Sequence, residues 1–455
     1  MTILFTILAF LIALGILIVF HEFGHYLVAR WCGVRVLRFS IGFGRPLLKK
    51  RWGKDQTEWV ITAFPIGGYV KMLDEREGEV APKDLMYSFN GKSVTQRFAI
   101  VVAGPVANFL LAILLYWAVF MLGITGMKPI IGTVIPDTPA ASSAFEKGDT
   151  ILRIGTESIA TWEDARWILL KKVTEKSTSV EVESLDRNGK ASWRELDLSR
   201  ISADDLEINF LQKLGLNNYQ PTVRPFIAKV SENSAASRSG LLVNDEILMV
   251  NGKKITLWEE LIYQIQNNPK QSMVMEIRRN SALIKIDITP DAIIQNGKTI
   301  GRIGIEPQII HSELEKLLVK INYPASTAAV MAVKKTWDIS VFTLKMLWRM
   351  VEGNVSWKNL SGPIVIADYA GKSAQIGLAS YCAFLALISI SLGVLNLLPI
   401  PLLDGGHLMY YVIEIIKGSP LSEKIMGISQ QIGMMLLFIL MILAMYNDIN
   451  RFISN

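Results

Sequence analysis

The chain has 455 residues, half of them apolar, with a mean hydropathy of +0.33 and a formal net charge of +6. That balance excludes a wholly soluble globular protein and implies a membrane protein that carries soluble parts. Cys32 and Cys382 are the only cysteines, which excludes a disulfide framework and a cysteine-rich zinc module. The modest basic excess belongs to loop placement rather than to nucleic-acid binding.

The first element is a span expected over residues 2–28. Thr2 to Phe20 contain no charge, and then His21, Glu22 and His25 follow within five positions. On a helix His21 and His25 lie four residues apart and share one face. Two neutral imidazoles at that spacing hold one zinc ion, with Glu22 beside the attacking water as general base. Ionisable side chains at membrane depth are costly, so this cluster is a functional candidate by default. The segment lacks a basic leader and a small-x-small cleavage site, so it is expected to be a retained span rather than a signal peptide.

Residues 29–97 carry Arg30, Arg35, Arg38, Arg45, Lys49, Lys50, Arg51 and Lys54. Leu37, Phe39 and Ile41 alternate with Arg38 and Ser40, and Trp59 to Phe64 is β-prone. The pattern predicts a membrane-associated β-hairpin dipping toward the His-Glu cluster. Gly42, Gly44, Gly67 and Gly68 serve there either as turn residues or as points of close approach for an extended substrate. A second span is expected over 98–122, after which Lys128 is nearly alone. The positive-inside rule then puts 31–97 in the cytoplasm and both termini outside, together with 123–375.

The exported middle is duplicated. Val134 to Ile154 aligns without a gap on Val230 to Val250, at an offset of 96 residues, and the register persists to Trp162-Glu163 and Trp258-Glu259. The unit is too long for a solenoid repeat and has the size of a small domain. Short β-rich runs, a small-residue turn, an Asp-x-Ile-Leu segment and an amphipathic helix resemble PDZ domains, here expected over 127–220 and 221–310. Ile131–Val134 and Phe226–Val230 are the candidate edge strands. Domains of that kind take peptides or chain termini by strand addition; the other reading is a pair of structural β domains, or a size filter. Between 311 and 375, Trp337, Val341, Leu344, Trp348 and Val351 fall at helical spacing. They mark either a helix in the membrane interface or a core helix against the second repeat.

A third span is expected over 376–398, a cytoplasmic loop over 399–424 and a fourth span over 425–446. A zinc hydrolase needs a third protein ligand and an open coordination position. His311 falls on the exported side. Asp404 emerges from the apolar, proline-broken run Asn396-Leu-Leu-Pro399-Ile-Pro401-Leu-Leu-Asp404, where a carboxylate is costly unless it binds a metal or a cation. Pro399 and Pro401 prevent a regular helix and aim Asp404 toward the first span. Asn396 is a candidate to hydrogen-bond an unwound substrate backbone. His407 suits a helix cap or the interface equally well.

His21-Glu22-Phe23-Gly24-His25 in a first span, with a late Asn-x-x-Pro-x-Pro-x-x-Asp-Gly run, resembles the site-2 protease family of intramembrane metalloproteases. Ala103 to Phe109, Phe64 to Lys71 and Leu360-Ser361-Gly362-Pro363 are similar to segments of that group. The resemblance implies a polytopic α-helical membrane protein of four spans with two exported PDZ-like α+β domains, in a bacterial inner membrane. It implies that His21, His25 and Asp404 bind zinc and that Glu22 activates water. The implied substrate is a single-span membrane protein, such as an anti-sigma factor already trimmed on its exported side, or a leftover signal peptide. Membrane lipid is the other expected partner. A transporter is the rival class, but it predicts inverted repeats among the spans, and only the exported region is duplicated. A zinc-containing scaffold whose PDZ-like domains bind partners remains the other alternative.

Overall fold

The computed structural model describes residues 3–454 apart from 77, 79, 202–209, 220–222, 296–297, 309–314 and 358–359. The chain forms two compact units: Met1–Ile124 with Lys320–Asn450, and Thr125–Val319 with Arg451–Asn455.

In the first unit, the helices Ile3–Trp31, Val94–Leu122, Leu378–Leu397 and Glu423–Arg451 are long and apolar enough to cross a membrane. They run past most of the apolar windows seen in the sequence. A 29-residue helix is about 43 Å long, against a hydrocarbon core of about 30 Å. Its ends therefore tolerate Arg30 and Arg97. Span two opens with a capping box: Ser93 Oγ accepts the Gln96 amide, and the Gln96 side chain accepts that of Ser93. Span three stops at Leu397, with Leu398 extended in front of Pro399, as the residue before a proline must be. Small residues let the spans approach closely. A Cβ added to Gly24 in span one would lie 2.3 Å from the Ala103 carbonyl oxygen of span two, and one added to Gly393 in span three 3.0 Å from the Phe109 ring.

The predicted hairpin is present and broader than expected. Strands Val36–Trp52 and Thr57–Met72 pair antiparallel, and Arg38, Phe39, Ser40 and Ile41 each have partners on both sides; Ser40 faces Tyr69 and Val60. The two strands therefore double back into a sheet four segments wide, ordered 68–72, 36–41, 58–61 and 46–52. Phe39, buried, packs on Trp59 at 4.6 Å and on Tyr26 of span one at 5.9 Å. Phe43, Leu47, Leu48, Trp52 and Phe64 stay exposed, an apolar surface suited to lipid. Glu58, also buried, binds Lys49 at 2.5 Å and Arg38 at 2.6 Å. The Lys49 and Arg38 hydrogen bonds hold its carboxyl below the ordinary value of 4.5.

Helix Ala325–Val351 contains the tryptophan stripe, and the stripe points outward: Trp337, Leu344, Trp348 and Val351 are exposed. Its buried side is Ala328, Ala332, Thr336 and Ile339, packed on span two. The core reading named the second repeat as the packing partner; the buried face packs on span two instead, and the tryptophans stay free for the interface.

The second unit repeats one architecture. The turns Pro139–Ser142 and Ala235–Arg238, the strands Thr150–Ile154 and Glu246–Val250, and Glu157–Ser158 and Lys253–Lys254 keep the 96-residue offset. Each repeat adds a helix, Trp162–Thr174 or Trp258–Gln266, and a hairpin, Ser179–Leu185 with Ala191–Asp197 or Met273–Arg279 with Ala282–Ile288. Both make a four-stranded sheet with the same strand order. The two hydrophobic cores are separate, drawing on residues between Ile131 and Leu216 and between Ile227 and Ile303. Of the candidate edge strands, Ile227–Val230 is regular and pairs with Ile305–Pro307. Around Ile131, among the described residues, only isolated bridges form, Ile130 to Thr150 and Ile131 to Asn218.

Candidate metal centre

Helical spacing sets the first half of the site. His21 and His25 stand edge to face, with ring centroids 4.9 Å apart and Nε2 atoms 3.3 Å apart. The face of span two against them is built to receive two imidazoles. A Cβ at Gly104 would lie 2.2 Å from His25 Nε2 and 2.8 Å from His21 Cε1, so only glycine fits.

The loop after span three supplies the carboxylate. Leu402 is held at a φ of +97°, a strained value for a branched residue. The loop doubles back over the helix Asp404–Lys417: a Cβ on Gly405 would meet the Leu398 carbonyl oxygen at 2.1 Å, and one on Gly406 the Ile400 carbonyl oxygen at 2.6 Å. The two glycines are therefore steric requirements that let Asp404 lead the helix. Further along, Glu414 accepts from Arg97 at 2.7 Å, and the Arg97 guanidinium lies 5.1 Å from the centre of the Tyr411 ring. This pairs the helix with the start of span two.

Asp404 Oδ2 lies 3.2 Å from His21 Nε2 and 3.6 Å from His25 Nε2. It is a buried oxygen with no aligned hydrogen-bond donor. Among the described residues, His21, His25 and Asp404 form the one group of three side chains able to share a metal. Ligands about 2.0–2.1 Å from a tetrahedral zinc lie roughly 3.3 Å from one another. The three separations match that figure, and the set leaves one position open. Two imidazoles and one carboxylate are a donor set that suits zinc.

Glu22 is half-buried on the same helix, one residue from His21. Gly68 sits against it: a Cβ there would come within 3.0 Å of Glu22 Cγ, 2.7 Å of Ile18 and 2.9 Å of the Ser40 carbonyl oxygen. The edge segment 68–72 thus runs beside the cluster. Gly67 has φ +115° and faces the Phe43 ring instead, at 2.4 Å from an added Cβ. Asn396 is half-buried at the end of span three and its side chain hydrogen-bonds no other described residue; Pro399 is exposed. Pro401 packs its carbonyl on Gly433 of span four. His407 stands edge-on to Tyr410 at 5.9 Å, and His311 lies outside the described residues.

Sequence reasoning gave no role to the span-two groups behind the rings. His25 Nδ1 lies 2.8 Å from the Ile100 carbonyl oxygen, and Asn108 Nδ2 lies 3.1 Å from His21 Nδ1. Their signal was the four-residue spacing of positions 100, 104 and 108, one helical stripe.

The model of peptidase family M50 matches residues 9–440. The Regulator of sigma-E protease RseP from Salmonella typhimurium is 42% identical over 453 residues, covering 99% of this chain and all of that one. A Neisseria meningitidis protein provisionally named a zinc metalloprotease is 39% identical over 450 residues, again 99% and 100% of the two chains. Among solved structures, the PDZ domain of an SdrC-like protein from Listeria innocua matches at 22% identity and a TM-score of 0.17, covering 20% of this chain and 98% of that one.

Proposed function

The chain belongs to peptidase family M50, a family of zinc-dependent membrane metalloproteases, and from that premise we propose that it cuts single-span membrane proteins within the bilayer. In this reading His21, His25 and Asp404 hold the zinc and Glu22 is the general base. What carries the reading is the meeting of three ligand atoms, 3.2 to 3.6 Å apart, on helices long and apolar enough to cross a membrane.

When bound, zinc supplies Lewis acidity toward the scissile carbonyl and makes water more acidic. The rest of the chemistry falls to the chain. A Glu22 carboxylate oxygen takes the proton of the attacking water and delivers it to the amide nitrogen as the carbon–nitrogen bond breaks, so that the nitrogen leaves as a neutral amine. A helical substrate hides its scissile bond, because each carbonyl is hydrogen-bonded within the helix. The edge segment 68–72 runs beside Glu22, and Gly67 and Gly68 allow a strand to come close. Strand addition there would hold an unwound segment extended, with the Asn396 amide as a further backbone partner. Pro399 and Pro401 keep the loop that leads into Asp404 irregular.

The finer assignments rest on the family resemblance and the charge pattern. The protein resides in a bacterial inner membrane, with both termini and the duplicated unit on the exported side and the metal centre near the cytoplasmic face. Its substrate is an anti-sigma factor first trimmed outside, or a leftover signal peptide. The repeats act as PDZ-like domains that take peptide ends or exclude bulky substrates. In purified protein, Glu22→Gln should retain zinc and substrate binding and lose cleavage of a single-span substrate. Cleavage that persists in Glu22→Gln would reject the assignment, and a wild-type protein that binds its partners and cuts nothing would indicate a scaffold.

A further inference from the structure

Both imidazoles are held from behind by span two, but by chemically different groups. The Ile100 carbonyl can only accept, so His25 Nδ1 must carry the proton across their 2.8 Å contact. His25 Nε2 is then a bare lone pair aimed at the cluster. The backbone has fixed that tautomer.

His21 faces the side chain of Asn108 at 3.1 Å. Asn108 is fully buried, and its backbone carbonyl accepts from Ser389 Oγ of span three at 2.7 Å, which anchors it between spans. An amide can present either end to a ring. If Nδ2 faces the ring, it donates to Nδ1, and the His21 proton sits on Nε2, where a ligand lone pair is needed. If Oδ1 faces the ring, it accepts from Nδ1–H and leaves Nε2 bare. Oδ1 is buried with no hydrogen-bond partner among the described residues, so only one end of the amide is engaged and no second hydrogen bond fixes which end faces the ring. The state of the ring decides it.

We infer that Asn108 is a positioning residue for His21: with zinc bound, its amide oxygen accepts the Nδ1 proton and holds the ring with Nε2 toward the ligand trio. Positions 100, 104 and 108 then act as one stripe, offering a carbonyl, an empty space and an amide. Metal-bound histidines commonly use a carboxylate in this place. A neutral amide avoids burying a second charge between apolar spans, and it makes His21 a less basic ligand than a carboxylate would.

The inference rests on the reading of His21, His25 and Asp404 as zinc ligands, and zinc affinity of the full-length protein separates the two. Chelator competition would compare wild type with His21→Ala, Asn108→Leu and Asn108→Asp. Asn108→Leu has similar bulk and no acceptor, and should bind zinc about 10- to 100-fold more weakly. With zinc bound nearby to favour its ionised form, Asn108→Asp keeps an acceptor and has no donor, so it should bind at least as tightly as wild type. Equal affinity in Asn108→Leu, or loss of affinity in Asn108→Asp, would overturn the inference while leaving the ligand assignment standing. Should the leucine variant not fold, Asn108→Asp alone decides, because a donating amide would make it the damaged one. A wild-type protein that takes up no zinc, or whose affinity His21→Ala leaves unchanged, would overturn both.

Discussion

At the scale of single residues the centre depends on what is absent as much as on its ligands. Gly104 leaves room for two rings, and the 2.2 Å approach of an added Cβ to His25 Nε2 leaves no slack. Gly104→Ala should therefore displace a ligand, lower zinc content, and reduce cleavage by about 100-fold, the usual cost of a misplacement near 1 Å. Gly15→Ala in span one is the matched control, since an added Cβ there meets nothing within 4 Å, and it should leave both quantities unchanged. Metal analysis of the two purified variants checks the pair. His21, Glu22 and His25 were legible because helical spacing is a local rule. Gly104 and Asn108 were not, since their partners lie 79 or more positions away in the chain.

At the scale of elements, ion pairs set how firmly the sheets hold. Glu58 joins segments of both strands, and its carboxyl is held low, chiefly by the Lys49 hydrogen bond and then by Arg38. A depressed carboxyl stabilises the fold above its unfolded value of 4.5, and the gain disappears as pH falls through the lower folded value. Protease protection of the sheet should thus weaken as pH falls below about 4.5, toward the lower folded value. Glu58→Gln should be less protected at neutral pH and lose this dependence; proteolysis across that range reads both. In the duplicated unit, Asp149 meets Arg194 and Asp245 meets Arg279, both at 2.7 Å, with both carboxylates buried. Arg279→Met would strand Asp245, at a cost of about 3–5 kcal/mol. Amide exchange should accelerate within the second repeat and not in the first, because the cores are separate. The aspartates were visible in the sequence as matched repeat positions, but their arginines were not. Arg194 and Arg279 fall outside the constant offset, on hairpins where the repeats have drifted.

At the scale of the whole molecule, each proposed catalytic group belongs to the first unit: His21, Glu22, His25, Asp404, and Asn108 and Gly68 beside them. The unit closes around its own helices, with span two touching spans one and three and the helices Ala325–Val351 and Asp404–Lys417. Replacing the interior of Thr125–Val319 by a flexible linker should consequently leave zinc content at the wild-type level. Metal analysis of that deletion checks it; loss of zinc would show that the second unit is needed to assemble the centre.

The sequence by itself determined the apolar helices, the two imidazoles on one helical face, the hairpin and the duplication, because each follows from a period of two, of 3.6 or of 96 residues within contiguous chain. Tertiary structure decided which of two stripes on Ala325–Val351 is buried, that the hairpin folds into a sheet four segments wide, and that span two rather than the loops supports the ring nitrogens. These depend on close approaches between segments distant in sequence. There a missing Cβ or the orientation of one amide carries the information, and neither leaves a periodic trace in the chain.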